Sequence, residues 1–255
     1  MALLGYNGGL RGKPRIPSTG NASGLWDLEE HQVAKGAGIW PSTGGDPYWA
    51  DVALLLHLDG TNGSSSFPDS SPDSRSTSGS EYTTLSTTDP KFGTASAYFG
   101  NTITITPYIS LGTGDFTIEC FLFPDAFGRT VFARTDECFF VFMSPDTVRF
   151  LCPGAGWVWL DSPQLSVPLQ LGAWNHFALC KSGTTLRLFI NGTLAATKVN
   201  FLPSDVPIDW FGVSTSSTVH YYYPAWLGRM DEIRVTRAAR YTSDFTPPTA
   251  PFPNF

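Results

Sequence analysis

Leu186-Arg-Leu-Phe-Ile190, Asn191-Gly192 and Thr193-Leu-Ala-Ala-Thr197 read as two strands joined by a two-residue turn. Asn-Gly supplies the positive φ angles that a type I′ turn needs at both central positions, and that turn matches the twist of paired strands. Upstream, Phe116, Ile118, Cys120 and Leu122 alternate with Thr117, Glu119, Phe121 and Phe123. Both sets carry apolar groups, so this strand is expected to be central and covered on both faces.

Period-two runs broken by turn residues continue on both sides of these two segments. Strands are predicted near Val52–Leu58, Ala95–Phe99, Thr102–Thr106, Thr130–Arg134, Phe139–Met143, Val148–Cys152, Trp157–Leu160, Asn175–Lys181, Trp210–Val213 and Met230–Thr236. Many short strands with no helical periodicity between them predict an all-β fold, an antiparallel two-sheet jelly-roll sandwich. The Ser-, Gly-, Pro- and Asp-rich residues 61–80 read as a long solvated loop. The three-part division expected is an N-terminal arm with one short helix over 1–45, the sandwich over 46–249, and an extended tail over 250–255 whose prolines cannot join the interior of a ladder.

The arm differs in composition from everything after it. Residues 1–24 hold Arg11, Lys13 and Arg15 without an acidic residue, and six glycines and prolines break any regular element before residue 18. Ser23 can cap a helix over Leu25–Lys35, with Asp27, Glu29 and Glu30 near its positive end and Gly36 as its stop. Such a helix is too short and too sparsely apolar to fold alone, so it is expected to dock on a partner through Trp26 and, at the Gly38-Ile-Trp-Pro41 exit, Trp40. Arg11, Lys13 and Arg15 would meet acidic groups there.

Composition removes several function classes. A net charge of −6 over 255 residues opposes phosphate binding, which is driven by Lys and Arg, so no nucleic-acid partner is expected. No apolar run approaches the roughly 20 residues needed to span a bilayer, so no membrane insertion is expected. The first residues lack a basic region followed by an apolar core, which predicts synthesis in a cytoplasm. Cys120, Cys138, Cys152 and Cys180 show no C-x-x-C spacing and read as small buried hydrophobes, with a Cys138–Cys152 bridge between neighbouring strands left open. Charged residues at 15% lie below the roughly 25% usual in soluble domains, so Ser, Thr, Asn and Gly must supply much of the polar surface.

Six further segments carry a family resemblance. Ala53-Leu-Leu-Leu-His-Leu-Asp-Gly60, Phe92-Gly-Thr-Ala-Ser-Ala-Tyr-Phe99, Gly112-Thr-Gly-Asp-Phe-Thr-Ile-Glu119, Trp174-Asn-His-Phe-Ala178, Leu186-Arg-Leu-Phe-Ile-Asn-Gly192 and Leu227-Gly-Arg-Met-Asp-Glu-Ile-Arg-Val235 occur in one order. Together they resemble the laminin-G-like, concanavalin-A-like superfamily. Ala239-Arg-Tyr-Thr-Ser-Asp-Phe-Thr-Pro-Pro248 resembles the ending of its bacteriophage versions, and Ala22-Ser-Gly-Leu-Trp-Asp-Leu-Glu-Glu-His31, running to Gly38-Ile-Trp-Pro41, resembles a segment near the N-termini of phage virion proteins. The resemblance implies a virion appendage made in the host cytoplasm, a homo-oligomer whose residues 1–45 meet other virion proteins. Its sandwich would bind a host-surface glycan or protein on a tail fibre, baseplate or head fibre. The alternative it leaves open is a capsid or tail decoration or cement protein with no ligand of its own.

Candidate sites follow from residue chemistry. Trp157 and Trp159, two residues apart on one strand, and Tyr221, Tyr223 and Trp226 offer rigid rings for stacking on sugars, with core packing or virion contacts as the competing reading. Trp174 and His176, on a strand of the resemblance, read as structural. No cofactor is expected: Asp59, Asp69 and Asp231 lie near positions where the resemblance implies oxygen ligands, which leaves calcium open, but turn chemistry, with Asp side chains bonded to nearby backbone amides, is the plainer reading. The resemblance also brings in endoglycosidases, but their paired carboxylates on one strand are not present in this sequence, nor is a G-x-S-x-G elbow, an H-E-x-x-H helix or a P-loop. The reading is therefore a binder and not an enzyme.

Overall fold

The computed structural model describes residues 45–134, 138–159, 165–212 and 226–255. Period-two alternation becomes strands through most of this range. The first sheet contains β1 (Val52–Leu56), β3 (Thr83–Ser86), β4 (Ser96–Phe99), β6 (Phe116–Pro124), β11 (Asn175–Ser182), β12 (Thr185–Ile190), β13 (Thr193–Lys198) and β15 (Gly228–Thr236). Its order is β13-β12-β11-β6-β15-β4-β3, with β1 pairing to the far half of β15. The second sheet contains β2 (Ser76–Gly79), β5 (Thr102–Ser110), β7 (Arg129–Arg134), β8 (Cys138–Ser144), β9 (Thr147–Cys152), β10 (Gly156–Trp159) and β14 (Pro207–Gly212). It runs β10-β9-β8-β7-β14-β5-β2, and every pairing in both sheets is antiparallel.

The inner faces meet in one aromatic-rich core. Phe140 of the second sheet packs edge-on to Phe177 of the first at 5.1 Å, and Phe132, Phe142, Phe150 and Phe211 surround them, all with no measurable exposure. The β12–β13 hairpin forms as the Asn-Gly pair requires, with φ of 52° at Asn191 and 76° at Gly192. Asn191 also accepts a hydrogen bond from His176 N through Oδ1 at 2.8 Å, so the turn is tied to β11.

The first sheet is covered on its outer face as well. Beyond β15 the chain has no further strand, and Ala239, Tyr241, Phe245 and Phe252 pack onto Val52, Leu55, Phe121, Ala178, Cys180 and Phe189. The expectation of a central β6 apolar on both sides is met, since β11 and β15 flank it and eight of its nine residues are buried. At its middle lies Glu119, with no exposed surface. Arg234 donates to Glu119 Oε1 from Nε at 2.9 Å and from Nη2 at 2.8 Å, and the Tyr241 hydroxyl donates to Oε2 at 2.9 Å. His176 Nε2 lies 3.3 Å from Oε2 and Arg240 Nε 3.6 Å from Oε1. Burial pushes this carboxyl up, but Arg234, the adjacent His176 ring and Arg240 outweigh it and leave it well below the ordinary carboxylate range. The C-terminal segment is thus clamped to the sheet by charge as well as by apolar contact.

Two features differ from the sequence reading. Residues 61–80 are not one solvated loop: Ser76–Gly79 pairs with β5 as an edge strand, and Phe67 is 1% exposed. An edge strand takes its stability from backbone pairing to one neighbour, so its side chains need not be apolar, and Ser-Thr-Ser-Gly shows no alternation to read. Asp69 knits the stretch in by accepting from Leu55 N, Ser71 N and Arg75 N at 2.8 to 2.9 Å. β3 was likewise not anticipated, and β1 ends before Leu58, whose φ of 62° takes the chain out of extended geometry. Ahead of β1, Asp46 N donates to Phe255 O at 2.6 Å. The predicted helix over Leu25–Lys35 lies outside the described residues, as do Arg11, Lys13, Arg15, Trp26 and Trp40.

Removing one partner of a buried charge cluster strands the others without solvent. Glu119→Ala is expected to lower unfolding free energy by roughly 3–5 kcal/mol, read by urea denaturation. A loss below about 1 kcal/mol, the scale of an exposed ion pair, would show that the cluster is not the fastening described.

Candidate functional site

The C-terminal segment leaves one end of the first sheet's outer face to other groups. There the register sets Phe123 of β6 opposite Arg229 of β15, Arg229 opposite Tyr98 of β4, and Tyr98 opposite Thr84 of β3. These residues form a line across four strands. Trp174 stands at its near end, edge-on to Phe123 with ring centroids 5.5 Å apart, and the Arg229 guanidinium lies 4.1 Å over Phe123 and 5.8 Å from Trp174. At the far end Tyr82 continues the β3–β4 ladder, its carbonyl accepting from Gly100 N at 2.9 Å.

Local chemistry holds each part in place. Asn175 is fully buried and accepts from Gln170 N at 3.0 Å while donating to Gln170 O and Ala173 O, which folds the turn carrying Leu171 and Trp174. Arg229 Nη1 donates to Thr88 O at 2.7 Å and Trp174 Nε1 to Asp89 O at 3.3 Å, so the 87–92 loop rests along the line. The Asp89 carboxylate, 65% exposed, lies 3.6 Å from Arg229 Nη2. Asp231 anchors the same loop, accepting from Lys91 N at 2.9 Å and Phe92 N at 3.1 Å. Burial pushes its carboxyl up to about 8, against the pull of the Phe92, Lys91 and Glu232 amides.

On the line Tyr98 is 40% exposed while Phe123 and Trp174 are partly buried, and Tyr82, just before β3, and Leu171, in the turn before Trp174, are 68% and 51% exposed. Exposed apolar groups gathered at one place mark interaction sites. Rings beside a charged pair can stack on the C–H face of a sugar while Arg and Asp take its hydroxyls. Sequence reading assigned Trp174 to structure and did not single out Phe123, Tyr98, Tyr82 or Arg229. The legible signal was the pair Phe121 and Phe123 on the β6 face opposite the core, beside Tyr98 at the outward position between Ala97 and Phe99.

The sequence candidates are dispersed. Trp157 pairs with Leu151 and Trp159 with Arg149, so both hold alternate positions of the edge strand β10 in the second sheet. Tyr221 and Tyr223 lie outside the described residues. Trp226 is corrected: it is 1% exposed in the main core, because the alternation of β15 carried backwards puts it in phase with the core-facing Met230. It offers no stacking face. Asp59, Asp69 and Asp231 each accept from backbone amides: Asp69 from Ser71 N two residues on, as turn chemistry expects, but Asp59 from Thr94 and Ala95 and Asp231 from Lys91 and Phe92, far along the chain. Among the described residues no group of three or more His, Cys, Asp or Glu is arranged for a metal ion. All four cysteines are buried, and burial pushes Cys152 up to about 12.

Beside the anchored loop, His57 closes a second contact. Its Nδ1 lies 2.9 and 3.1 Å from the two carboxylate oxygens of Glu232, which also accepts from Phe252 N at 2.9 Å. Glu232 has φ of 50° at a register shift between Asp231 and Arg234, a bulge that lets successive acidic side chains reach different partners.

Comparison with known proteins identifies the fold. Residues 96–244 match the Laminin_G_3 family, described as the concanavalin A-like lectin/glucanases superfamily. No curated protein matches the sequence significantly. Among solved structures, the binding domain of paraclostridial mosquitocidal protein 1 aligns with a TM-score of 0.56 at 13% identity, over 76% of this chain and 50% of that one. Domain 4 of AbnA, an extracellular arabinanase of Geobacillus stearothermophilus solved with arabinotriose, gives 0.55 at 14% identity, over 74% and 93%. The ligand-binding domain of botulinum neurotoxin serotype D, solved with N-acetylneuraminic acid, gives 0.52 at 10%, over 76% and 49%. The chain thus spans about half the length of the two toxin domains. At these identities the likeness is one of fold.

The His57 contact carries a pH signature. Its hydrogen bond to Glu232 raises its pKa above 6.5, burial opposes this, and the charges of Glu232, Asp59 and Asp231 add to the rise. A raised histidine contributes stability that is fully present below the unfolded value and lost as pH climbs through the folded one. The stability difference between wild type and His57→Gln should therefore be larger at pH 6 than at pH 9 in urea titrations. A difference that stays flat or grows with pH would contradict the assignment.

Proposed function

The chain belongs to the concanavalin A-like lectin/glucanase superfamily, and from that premise we propose that it is a glycan-binding appendage protein of a bacteriophage-type virion, a binder and not an enzyme. The observation that carries the glycan reading is the line Trp174, Phe123, Arg229 and Tyr98, with Tyr82 and Leu171 exposed at its ends. Rings held on a hydrogen-bonded sheet lose little freedom on binding, so stacking on a sugar costs little ordering entropy. The sugars bound by the arabinanase domain and the serotype D toxin domain support the reading as examples of this fold in that role.

The virion setting rests on the resemblance of residues 22–41 and 239–248 to phage proteins. In it the basic arm, through Arg11, Lys13, Arg15, Trp26 and Trp40, docks on other virion proteins, and the sandwich of a homo-oligomer faces the host surface. A decoration role without a ligand would instead leave the aromatic line covered by a neighbour in the particle.

Two experiments test this. On a glycan array, wild-type protein should retain at least one class of glycan, and Trp174→Ala should weaken that signal about tenfold or more, on the scale of a lost aromatic contact with its buried area; a blank array would overturn glycan binding. Deleting residues 1–41 should leave array binding intact while abolishing incorporation into particles. Truncated protein present in particles at full occupancy would move the attachment surface to the sandwich.

A further inference from the structure

Building on the glycan-binding reading, we infer that the site takes a flat, extended, β-linked polysaccharide laid across the strands, and not a single terminal sugar. Its shape follows from the register. Phe123, Arg229 and Tyr98 are direct cross-strand neighbours on β6, β15 and β4, so their line runs perpendicular to the strands. Adjacent strands lie about 4.8 Å apart, which puts Phe123 and Tyr98 roughly 10 Å from one another, with Trp174 extending the line beyond Phe123. A pyranose ring is about as wide as one phenyl ring. One sugar can therefore cover one aromatic group, and contact with both Trp174 and Tyr98 needs several linked units.

The composition of the line points the same way. Its ends are aromatic, Tyr98 40% exposed at one and Trp174 partly buried at the other, while its centre is Arg229, 15% exposed on its side chain and paired with the outward Asp89 carboxylate. Ring faces suit the C–H surfaces of successive sugars, and the central cation and anion suit the hydroxyls between them. The positive and negative groups offset each other, which favours a neutral chain over a highly charged one. Tyr82 and Leu171 are among the most exposed large apolar residues described.

The sheet also selects the chain's geometry. Neighbouring strands turn by only about 20–25°, so the surface is a slowly twisting plane. A β-1,4-linked chain with equatorial linkages is a ribbon with two C–H-bearing faces and can follow such a plane. An α-1,4-linked chain coils and would leave the line after one contact.

The experiment is titration calorimetry of the full chain with linear oligomers of one to six units in three series: β-1,4-linked glucose, β-1,4-linked N-acetylglucosamine and α-1,4-linked glucose. Affinity in at least one β-linked series should rise about tenfold between the monosaccharide and the tetrasaccharide and then level off. Tyr98→Ala should remove the gain from length, and Trp174→Ala should weaken every length that binds. Unchanged melting of both variants would assign these effects to the surface. Equal affinity at all lengths, a stronger response to the α-linked series, or no binding in either β-linked series would overturn the extended-chain inference. The array result stands apart from these outcomes: a retained glycan with no length dependence leaves glycan binding in place, and a blank array removes both.

Discussion

A carboxylate with no exposed surface organises the outer face of the first sheet. Glu119 sits in the central strand β6, where an isolated ion would cost several kcal/mol to hold away from water. That cost is offset only if its partners are fixed, and here they come from three places: Arg234 from the neighbouring strand, His176 from the strand on the other side, and Arg240 with Tyr241 from the segment after the last strand. Charge therefore dictates where the C-terminal segment lies. Once it is there, Tyr241 and Phe245 stack at 3.6 Å and pack with Phe189, and Phe245 N closes the β-hairpin turn by donating to Gly192 O at 2.9 Å. A side chain on Gly192 would collide with that carbonyl of Phe245, so the glycine of the hairpin serves the clamp as well as the turn.

β15 links this clamp to the candidate site. Along its nine residues Arg229 braces the aromatic line, Asp231 anchors the 87–92 loop, Glu232 holds His57 and the Phe252 amide, and Arg234 meets Glu119. Regular alternation would put Asp231 and Glu232 on opposite faces. The bulge breaks that alternation, so two adjacent carboxylates serve outer partners while Met230, Ile233 and Val235 keep the core filled. Displacing the clamp would shift β15 and with it the loop and guanidinium that level the site.

How far the fold was legible depended on whether a segment's side chains or its backbone carried its stability. The Asn191-Gly192 hairpin and β6 announced themselves because turn geometry and two apolar faces leave a pattern in residue types. β2 left none, since Ser76 to Gly79 carries no apolar side chain and holds its place through pairing with β5. Phe67, alone in a polar run, was the visible cue that the stretch returns to the core. Trp226 was misread for a related reason: its aromatic neighbours Tyr221, Tyr222 and Tyr223 suggested a cluster, whereas the phase of β15 decides its direction. Of the three Asp residues read as turn ligands, Asp69 makes that short-range contact to Ser71 N, whereas Asp59 and Asp231 tie down amides far along the chain, which spacing in the sequence does not reveal.

The site itself was hardly legible, and the cause is geometric. Phe123, Arg229, Tyr98 and Trp174 lie far apart in the chain, and only the strand order β11-β6-β15-β4 brings them side by side. Sequence neighbours such as Trp157 and Trp159 attract attention because spacing of two is visible without a topology; a cross-strand line is not. The same strand order explains why this end of the sheet is the open one. The C-terminal segment crosses the face where Glu119, His176 and Phe121 call it down, at the middle of β6 and β11, and the positions past Phe121 toward Pro124 fall to Trp174, Arg229 and the 87–92 loop. Coverage of one half by charge-fixed chain and of the other by rings on a rigid sheet divides a single surface into a fastening and a platform.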